Sequence, residues 1–313
     1  MPLRIIFCGT PAFAVPSLRR LAAQRDMQIE GVVTQPDRPR GRGREKAISA
    51  VKEAAVGAGI PVYQPERIKS DEAYDYFRRT APDAVVVIAY GQIIPQRLIE
   101  ISRLGWINLH ASLLPEYRGA APIQRAIANG ETRTGLTTMK IDAGLDTGPI
   151  LLQSETQIGA DETAPELSAR LAEAGAPLVA ETLLKLDRGE IAPTPQDNSK
   201  ATFAPTLEKE DGRVDWSLSA ETIYNRIRGF QPWPGAFTTF RGKTCQIWGT
   251  PLKPVAAGGE NGILLATRED GLLVICAGSS VLRIDFAQLE GRKRVTGLEF
   301  AHGARIELGE RFL

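Results

Sequence analysis

The N-terminal part of the chain alternates short apolar runs with turns and amphipathic segments. Leu3–Cys8 and Ile29–Thr34 predict buried strands, and the spacing of Ala14–Arg25 between them predicts a helix. Asp83–Tyr90 is too short and too rich in valine for a helix, so it predicts another buried strand. Strands that alternate with helices form parallel sheets. We therefore predict an α/β fold with a doubly wound, Rossmann-like parallel sheet. The turn Gly9–Pro11 lacks the G-x-G-x-x-G pattern, which argues against a nicotinamide cofactor.

A change of pattern predicts a second domain. Pro149–Ile158 alternates like an antiparallel edge strand and Asp161–Lys185 has helical spacing, but prolines interrupt every pattern between Gly189 and Thr206. Short β-rich runs follow at Phe237–Phe240, Cys245–Trp248, Gly262–Ala266, Leu272–Cys276 and Val281–Phe286. Such strands with glycine turns predict a small OB-like β-barrel. The predicted organisation is a Rossmann-like domain over residues 1–189, a semi-rigid linker over 190–206 and an OB-like C-terminal domain over 207–313.

Composition narrows the class of protein. The chain has 313 residues, of which 43% are apolar and 24% charged, and this is ordinary for a globular protein with a sizeable core. A net charge of +1 gives no overall reason to expect a polyanionic partner. The 3 cysteines are scattered, which suits a reducing compartment and offers no metal-ligand spacing. We expect a cytoplasmic protein without a metal or a membrane segment, and nothing in the sequence requires more than a monomer.

The segment Gly105–Leu151 carries the candidate chemistry. Asn108 and His110 are one residue apart in a predicted strand, so their side chains would point into the same space. Asp146 follows in a glycine-rich loop, where Asp142 is a competing carboxylate. An amide, an imidazole and a carboxylate form a proton-transfer site with an oxyanion donor. Single residues of these types are more often structural, but the chain has only 2 histidines, and one of them lies here.

A basic loop follows the second predicted strand. The segment Gln35–Lys46 contains Arg38, Arg40, Arg42, Arg44 and Lys46, which proline, glycine and one glutamate separate. A loop without apolar anchors is solvated, and a plain charged surface is the commoner explanation. Alternating arginine and glycine also suits phosphate backbones, because the guanidinium is a forked donor and glycine permits close approach.

Several motifs resemble the formyltransferase family that uses 10-formyltetrahydrofolate. They are N-L-H-A-S-L-L-P at Asn108–Pro115, Y-R-G-A-A-P-I at Tyr117–Ile123 and D-A-G-L-D-T-G at Asp142–Gly148. The loop at residues 35–46 is similar to the Q-P-D-R-P-x-G-R-G insertion of the family members that formylate methionyl-tRNA. The resemblance covers nearly the whole chain and implies acyl transfer from 10-formyltetrahydrofolate, without a metal.

The resemblance also implies roles for individual residues. Asn108 would donate a hydrogen bond to the developing oxyanion, His110 would transfer the proton, and Asp146 would orient the imidazole and favour its protonated form. The segment Ser112, Leu113, Leu114 and Pro115 would shape the folate pocket through backbone groups and apolar contact. The basic residues Arg38, Arg40, Arg42, Arg44 and Lys46 would contact initiator methionyl-tRNA.

Other functions remain open from the sequence. The alternative within the family is a formyltransferase that acts on an amino nucleotide-sugar or another small amine. A hydrolase that releases formate from the same folate would turn over without an amine acceptor. An RNA-binding protein without catalysis would keep the basic loop, but it would have no need of Asn108, His110 and Asp146 together.

Overall fold

The computed structural model describes residues 1–40, 45–252, 259–267, 271–307 and 309–313. The chain forms two compact units. The first unit contains Met1–Pro122, Arg133–Gln157 and Leu167–Ala204, and the second unit contains Ile123–Thr132, Ile158–Glu166 and Pro205–Leu313. Residues 190–204, which belong to the predicted linker, thus pack within the first unit. The domain boundaries at 189 and 207 stay predictions.

The structure contains the strands and helices that the sequence predicts, together with several that it does not predict. The strands are β1 (Leu3–Gly9), β2 (Met27–Val33), β3 (Arg38–Arg40), β4 (Glu45–Ala47), β5 (Val62–Tyr63), β6 (Ala84–Ile88), β7 (Trp106–His110), β8 (Arg133–Lys140), β9 (Ile150–Gln157), β10 (Phe237–Phe240), β11 (Lys243–Pro251), β12 (Leu264–Thr267), β13 (Gly271–Ile275), β14 (Val281–Leu289) and β15 (Val295–Thr296). The helices are α1 (Val15–Ala22), α2 (Ala50–Gly57), α3 (Asp71–Thr80), α4 (Gln96–Ile99), α5 (Pro122–Ala128), α6 (Ala164–Asp187), α7 (Ala220–Gly229) and α8 (Gly297–Ala304).

A seven-stranded sheet in the order β5-β2-β1-β6-β7-β8-β9 forms the centre of the first unit. The five strands β5, β2, β1, β6 and β7 run parallel to one another. Strands β8 and β9 extend the sheet in antiparallel pairs. This arrangement confirms the predicted Rossmann-like α/β fold. The carboxyl ends of β1, β2 and β6 meet at one edge, where the Tyr90 carbonyl oxygen accepts hydrogen bonds from Thr10 Oγ1 at 3.1 Å and Gln35 Nε2 at 3.2 Å. Parallel α/β sheets place ligands at this edge.

Strand β8 was not predicted, because half of its six buried positions are threonines. Thr134, Thr137 and Thr138 are all buried, although their hydroxyls count as polar in the sequence pattern. The hydroxyls are satisfied internally, since Thr137 Oγ1 donates to the Ser112 carbonyl at 2.7 Å and Thr138 Oγ1 shares a 2.8 Å hydrogen bond with Thr182 Oγ1. Threonine is β-branched, so it favours a strand once its hydroxyl has a partner.

The basic segment forms a hairpin rather than the irregular loop that its composition predicted. Strands β3 and β4 pair antiparallel, with Arg38 opposite Ala47 and Arg40 opposite Glu45. Backbone pairing needs no apolar anchor, which explains the difference. Arg38 is exposed, while Arg42 and Arg44 lie outside the described residues.

The second unit is built on an antiparallel sheet in the order β10-β11-β14-β13-β12, with β15 paired to β14. The sheet is compatible with the predicted small barrel. Its core contains an aromatic cluster in which the Phe240 ring centroid lies 5.3 Å from that of Phe300 and 5.8 Å from that of Phe312. Helix α8 begins with a capping box, because Thr296 and Glu299 each bind the other's backbone N–H.

All three cysteines are free and buried, Cys8 in the first unit and Cys245 and Cys276 in the second. Burial raises the pKa of Cys245 to about 11 and that of Cys276 to about 12. Across the described ranges, no group of three histidine, cysteine or carboxylate side chains is placed to hold a metal ion. In the same part of the chain, no helix has both the length and the apolar character that a membrane crossing requires.

Candidate active site

Strand β7 brings Asn108 and His110 to the ligand-binding edge of the first sheet. It pairs with β6 on one side, where Asn108 faces Val87, and with β8 on the other. His110 is only 6% exposed. Asn108 is half-buried, and its side-chain amide has no hydrogen-bond partner in the described part of the chain. A half-buried amide without a protein partner is free to donate to a bound molecule.

The two ring nitrogens of His110 have different partners. Nε2 lies 2.9 Å from the Tyr117 carbonyl oxygen, and because a carbonyl can only accept, Nε2 carries the hydrogen. Nδ1 lies 3.6 Å from Asp146 Oδ2. In the neutral ring Nδ1 therefore holds a lone pair, and once protonated it faces an ionised carboxylate. The imidazole is arranged to accept a proton at Nδ1 and to be stabilised by Asp146 in its charged form.

The carboxylate that faces His110 belongs to Asp146 and not to Asp142. Asp146 Oδ2 also accepts the Gly119 N–H at 2.8 Å, and the residue has a left-handed backbone with φ of 52°. The competing Asp142 closes its own loop, because its Oδ1 accepts from Gly144 N at 3.0 Å and Thr147 Oγ1 at 2.7 Å. Asp142 is thus a turn residue.

The segment 112–115 forms a turn whose four carbonyl groups all accept hydrogen bonds within the protein. Ser112 Oγ donates to the Glu116 carbonyl at 2.6 Å, and the Leu114 N–H donates to Thr137 Oγ1 at 3.1 Å. Gln153 Nε2 donates to the Leu114 carbonyl at 2.9 Å. Contacts of this turn with a folate stay a prediction. They would come from N–H groups of the turn and from side chains such as that of Leu113, which is only partly buried.

Sequence reasoning missed a segment that packs beside Asp146. Residues 194–204, here called the strap, pair with Ile150 through Thr194 and with Arg118 through Thr202 and Ala204. Within the strap, Gln196 Nε2 donates to the carbonyl oxygens of Asp146 at 2.9 Å and Gly148 at 2.7 Å. The amide oxygen of Gln196 accepts from the guanidinium of Arg118. Only the prolines of this stretch stood out in the sequence, and they indicated a spacer.

Basic residues are also placed outside this edge. In the second unit the Arg294 guanidinium carbon lies 4.0 Å from the Trp248 ring centroid and 4.1 Å from that of Phe286, whose side chain is exposed. In the first unit, the predicted RNA contacts Arg38, Arg40 and Lys46 belong to the β3–β4 hairpin. Roles for these residues in binding RNA stay predictions.

The chain is similar to formyltransferases over nearly its whole length. A family model described as "Formyl transferase" matches residues 3–183, and "Formyl transferase, C-terminal domain" matches residues 206–305. A methionyl-tRNA formyltransferase of Solibacter usitatus is 51% identical over 309 residues, covering 99% of this chain and 98% of the relative. That of Koribacter versatilis is 52% identical over 303 residues, covering 96% of each.

Solved structures share the fold at low identity. A sugar 3N-formyl transferase, WlaRD, crystallised with dTDP and 5-N-formyl-THF, superposes with a TM-score of 0.67 at 19% identity, covering 94% of this chain and all of that one (100%). HypX of Aquifex aeolicus with tetrahydrofolic acid superposes with a TM-score of 0.63 at 17% identity. Here the chain spans only about half of the neighbour, 49% of its length.

Proposed function

The chain belongs to the formyl transferase family, and we propose that it transfers a formyl group from 10-formyltetrahydrofolate to the free amino group of initiator methionyl-tRNA. The observation that carries the proposal is the site on β7. There His110 is held between the Tyr117 carbonyl and Asp146, and on the same strand the amide of Asn108 has no partner among the described residues. Two relatives that are 51% and 52% identical to this chain are named methionyl-tRNA formyltransferase, and this supports methionyl-tRNA as the acceptor.

The residues present suit a folate at this edge. A flat heterocycle needs apolar walls and a few polar partners. Ile93, in the turn after β6, is 92% exposed and Leu145, beside Asp146, is 64% exposed, and such large apolar side chains are available to a ligand. The Tyr90 hydroxyl is buried without a hydrogen-bond partner among the described residues, and burial raises its pKa, so it stays a neutral phenol. When bound, the folate supplies the electrophilic formyl carbon.

The three side chains have separate tasks in this reaction. Asn108 donates a hydrogen bond to the formyl oxygen as negative charge develops on it. His110 takes the proton of the attacking amine at Nδ1, and Asp146 stabilises the imidazolium. The same proton then passes from His110 to the departing folate nitrogen, so that no net proton is consumed. None of these steps needs a covalent bond to the protein.

Binding of tRNA is assigned to two basic surfaces. The β3–β4 hairpin supplies Arg38, Arg40 and Lys46, and its sequence is similar to an insertion of the family members that act on methionyl-tRNA. Arg294, which lies over the rings of Trp248 and the exposed Phe286, is a second candidate, because arginine and aromatic side chains both contact nucleic acids. A cytoplasmic location and a monomeric state complete the proposal.

The function is tested by supplying 10-formyltetrahydrofolate with methionine-charged initiator tRNA, free methionine or uncharged tRNA. Formylation of the charged tRNA alone is the expected result. Transfer to an amino nucleotide-sugar and not to the tRNA would support the alternative acceptor, which the sugar formyltransferase fold neighbour also represents. Formate release without an acceptor would indicate a hydrolase.

Asp146→Asn is expected to lower kcat by about 10²-fold. Asparagine carries no charge to stabilise the imidazolium. Because the same Asp146 oxygen, Oδ2, accepts the Gly119 N–H and faces His110 Nδ1, an asparagine amide can keep only one of these two contacts, with its oxygen towards Gly119 or its NH₂ towards Nδ1. Asp142→Asn is the matched control, because an amide oxygen can keep the bonds to Gly144 and Thr147. Steady-state kinetics of both variants provide the comparison, and an unchanged kcat in a folded Asp146→Asn protein would refute the role of Asp146.

A further inference from the structure

The strap binds the catalytic region through one fully bonded glutamine. Besides its two donor bonds to Asp146 and Gly148, Gln196 accepts from Arg118 Nε at 3.1 Å and Nη2 at 2.7 Å. Both amide protons and both lone pairs of the oxygen are thus in use. The two carbonyl groups that Gln196 binds belong to Asp146 itself and to Gly148, two residues further along the chain. The left-handed backbone of Asp146 is rare for a residue other than glycine. Gly148 also lies so close to Lys140 that a Cβ at this position would overlap the Lys140 carbonyl oxygen.

Arg118 is unusual because it is a buried cation held by neutral groups. Arg118 is only 4% exposed. The guanidinium donates to the amide oxygens of Gln196 and of Asn198, the latter at 2.8 Å, and it has no ion pair within the described residues. A buried charge without a counter-ion is a poor device for stability. The burial of this charge therefore points to a role for Arg118 in the site.

The strap holds the second partner of His110 as well. Tyr117, whose carbonyl accepts from His110 Nε2, donates its own N–H to Thr202 Oγ1 at 2.8 Å. On the next residue, the Arg118 N–H donates to the Thr202 carbonyl at 2.9 Å, and its carbonyl accepts from Ala204 at 2.7 Å. The strap is therefore bonded to the peptide units on either side of the Tyr117–Arg118 link. Both groups that contact the imidazole are anchored to one segment.

We propose that Gln196 and Arg118 are positioning residues for proton transfer, holding the Asp146 carboxylate and the Tyr117 carbonyl at fixed places around His110. Gln196 sets the Asp146 backbone, and Arg118 fixes the orientation of the Gln196 amide, since its guanidinium binds only the oxygen end. This inference rests on the proposed function for its kinetic readout. It concerns geometry in the free enzyme, however, and can also be tested without substrate.

The test compares Gln196→Met with Gln196→Glu. Methionine matches the length of glutamine but makes none of the four hydrogen bonds. Glutamate keeps the acceptors for Arg118 and has no N–H for the two carbonyls. Both variants are expected to lose about 10- to 100-fold in kcat, with KM for the folate within about threefold of wild type, because the defect lies in alignment rather than in binding. Thr202→Val, which removes only the acceptor of the Tyr117 N–H, is a milder variant that should show a smaller loss in kcat.

The control is Gln64→Met. Gln64 Nε2 also donates two hydrogen bonds in the first unit, to the Gln35 carbonyl at 2.9 Å and Asp37 Oδ1 at 2.8 Å, and neither acceptor contacts His110. Each protein is assayed at saturating substrate and at a temperature the same number of degrees below its own Tm. Under these conditions the kcat of Gln64→Met should stay within about twofold of wild type. A loss as large as that of Gln196→Met would show a general effect of destabilisation and overturn the proposal.

Imidazole ¹⁵N NMR supplies the readout that needs no substrate. The chain has only 2 histidines, so His302→Gln assigns the spectrum. Wild type should show His110 in the single tautomer protonated at Nε2, and both Gln196 variants should show tautomer averaging. A wild-type His110 spectrum in the Gln196 variants would overturn the proposal even if kcat fell. If wild type showed no formyl transfer, the proposed function would fail while the spectra still tested the positioning.

Discussion

Replacement of His110 by alanine is expected to lower kcat for formyl transfer by about 10²- to 10⁴-fold, the range typical for a general acid–base residue. The attacking amine must lose a proton and the folate nitrogen must gain one. In His110 a carbonyl fixes the hydrogen on Nε2 and a carboxylate faces Nδ1. In the described part of the chain, no other histidine has this pair of partners. The measurement is kcat with methionine-charged initiator tRNA as a function of pH.

Two further variants separate chemistry from folding. In His110→Gln the glutamine amide can still donate a hydrogen bond to the Tyr117 carbonyl. The variant thus avoids a buried acceptor without a donor, which would lower the free energy of unfolding by about 1–3 kcal/mol. It cannot take up a proton, and its kcat should therefore be as low as that of the alanine variant. His302→Ala, at the exposed histidine of α8, should behave like wild type. Substantial activity in His110→Gln would show that the proton travels by another route.

Asn108→Ala is expected to lower kcat by about 10²- to 10³-fold, equivalent to about 2.7–4 kcal/mol of transition-state stabilisation. Its amide is half-buried and has no partner in the described protein, so its hydrogen bond is available to the formyl oxygen as that atom becomes negative. Asn108→Asp should be lower still, because a carboxylate of the same shape would repel that charge. Because Asn108 does not titrate, the pH profile of the alanine variant should keep the shape seen in wild type.

Binding measurements complete this test. A group that acts only in the transition state changes kcat and leaves the affinity for folate nearly constant. The dissociation constant for tetrahydrofolate should therefore be similar in wild type and Asn108→Ala. An Asn108→Ala protein that lost folate binding but kept kcat at saturation would instead show that the amide binds the ground state.

The sequence predicted the site where local periodicity decided the geometry. Asn108 and His110 share a face because strand side chains alternate, and β7 follows the predicted apolar run. Periodicity could not show which of Asp142 and Asp146 faces His110, since both carboxylates lie in the same glycine-rich stretch. The resemblance to the family had favoured Asp146, and it is Asp146 that faces His110.

Contacts between distant parts of the sequence were not predictable. Arg118 and Gln196 are separated by 78 positions, and neither belongs to a pattern that would have paired them. The strap was interpreted as a spacer because prolines interrupt periodicity, yet an irregular segment can bind through side-chain amides and backbone groups. Strand β8 was missed for a related reason. Its threonines count as polar in the sequence pattern, but they are buried because their hydroxyls form hydrogen bonds with distant residues.

The buried thiols have a practical consequence for following how this protein opens. Only a thiolate reacts with alkylating reagents, and Cys8, Cys245 and Cys276 are each fully shielded from solvent at 0% exposure. Modification must therefore wait for local or global unfolding. Digestion and mass spectrometry would report Cys8 separately from Cys245 and Cys276, so one labelling time course would give opening rates for each of the two units without any introduced probe.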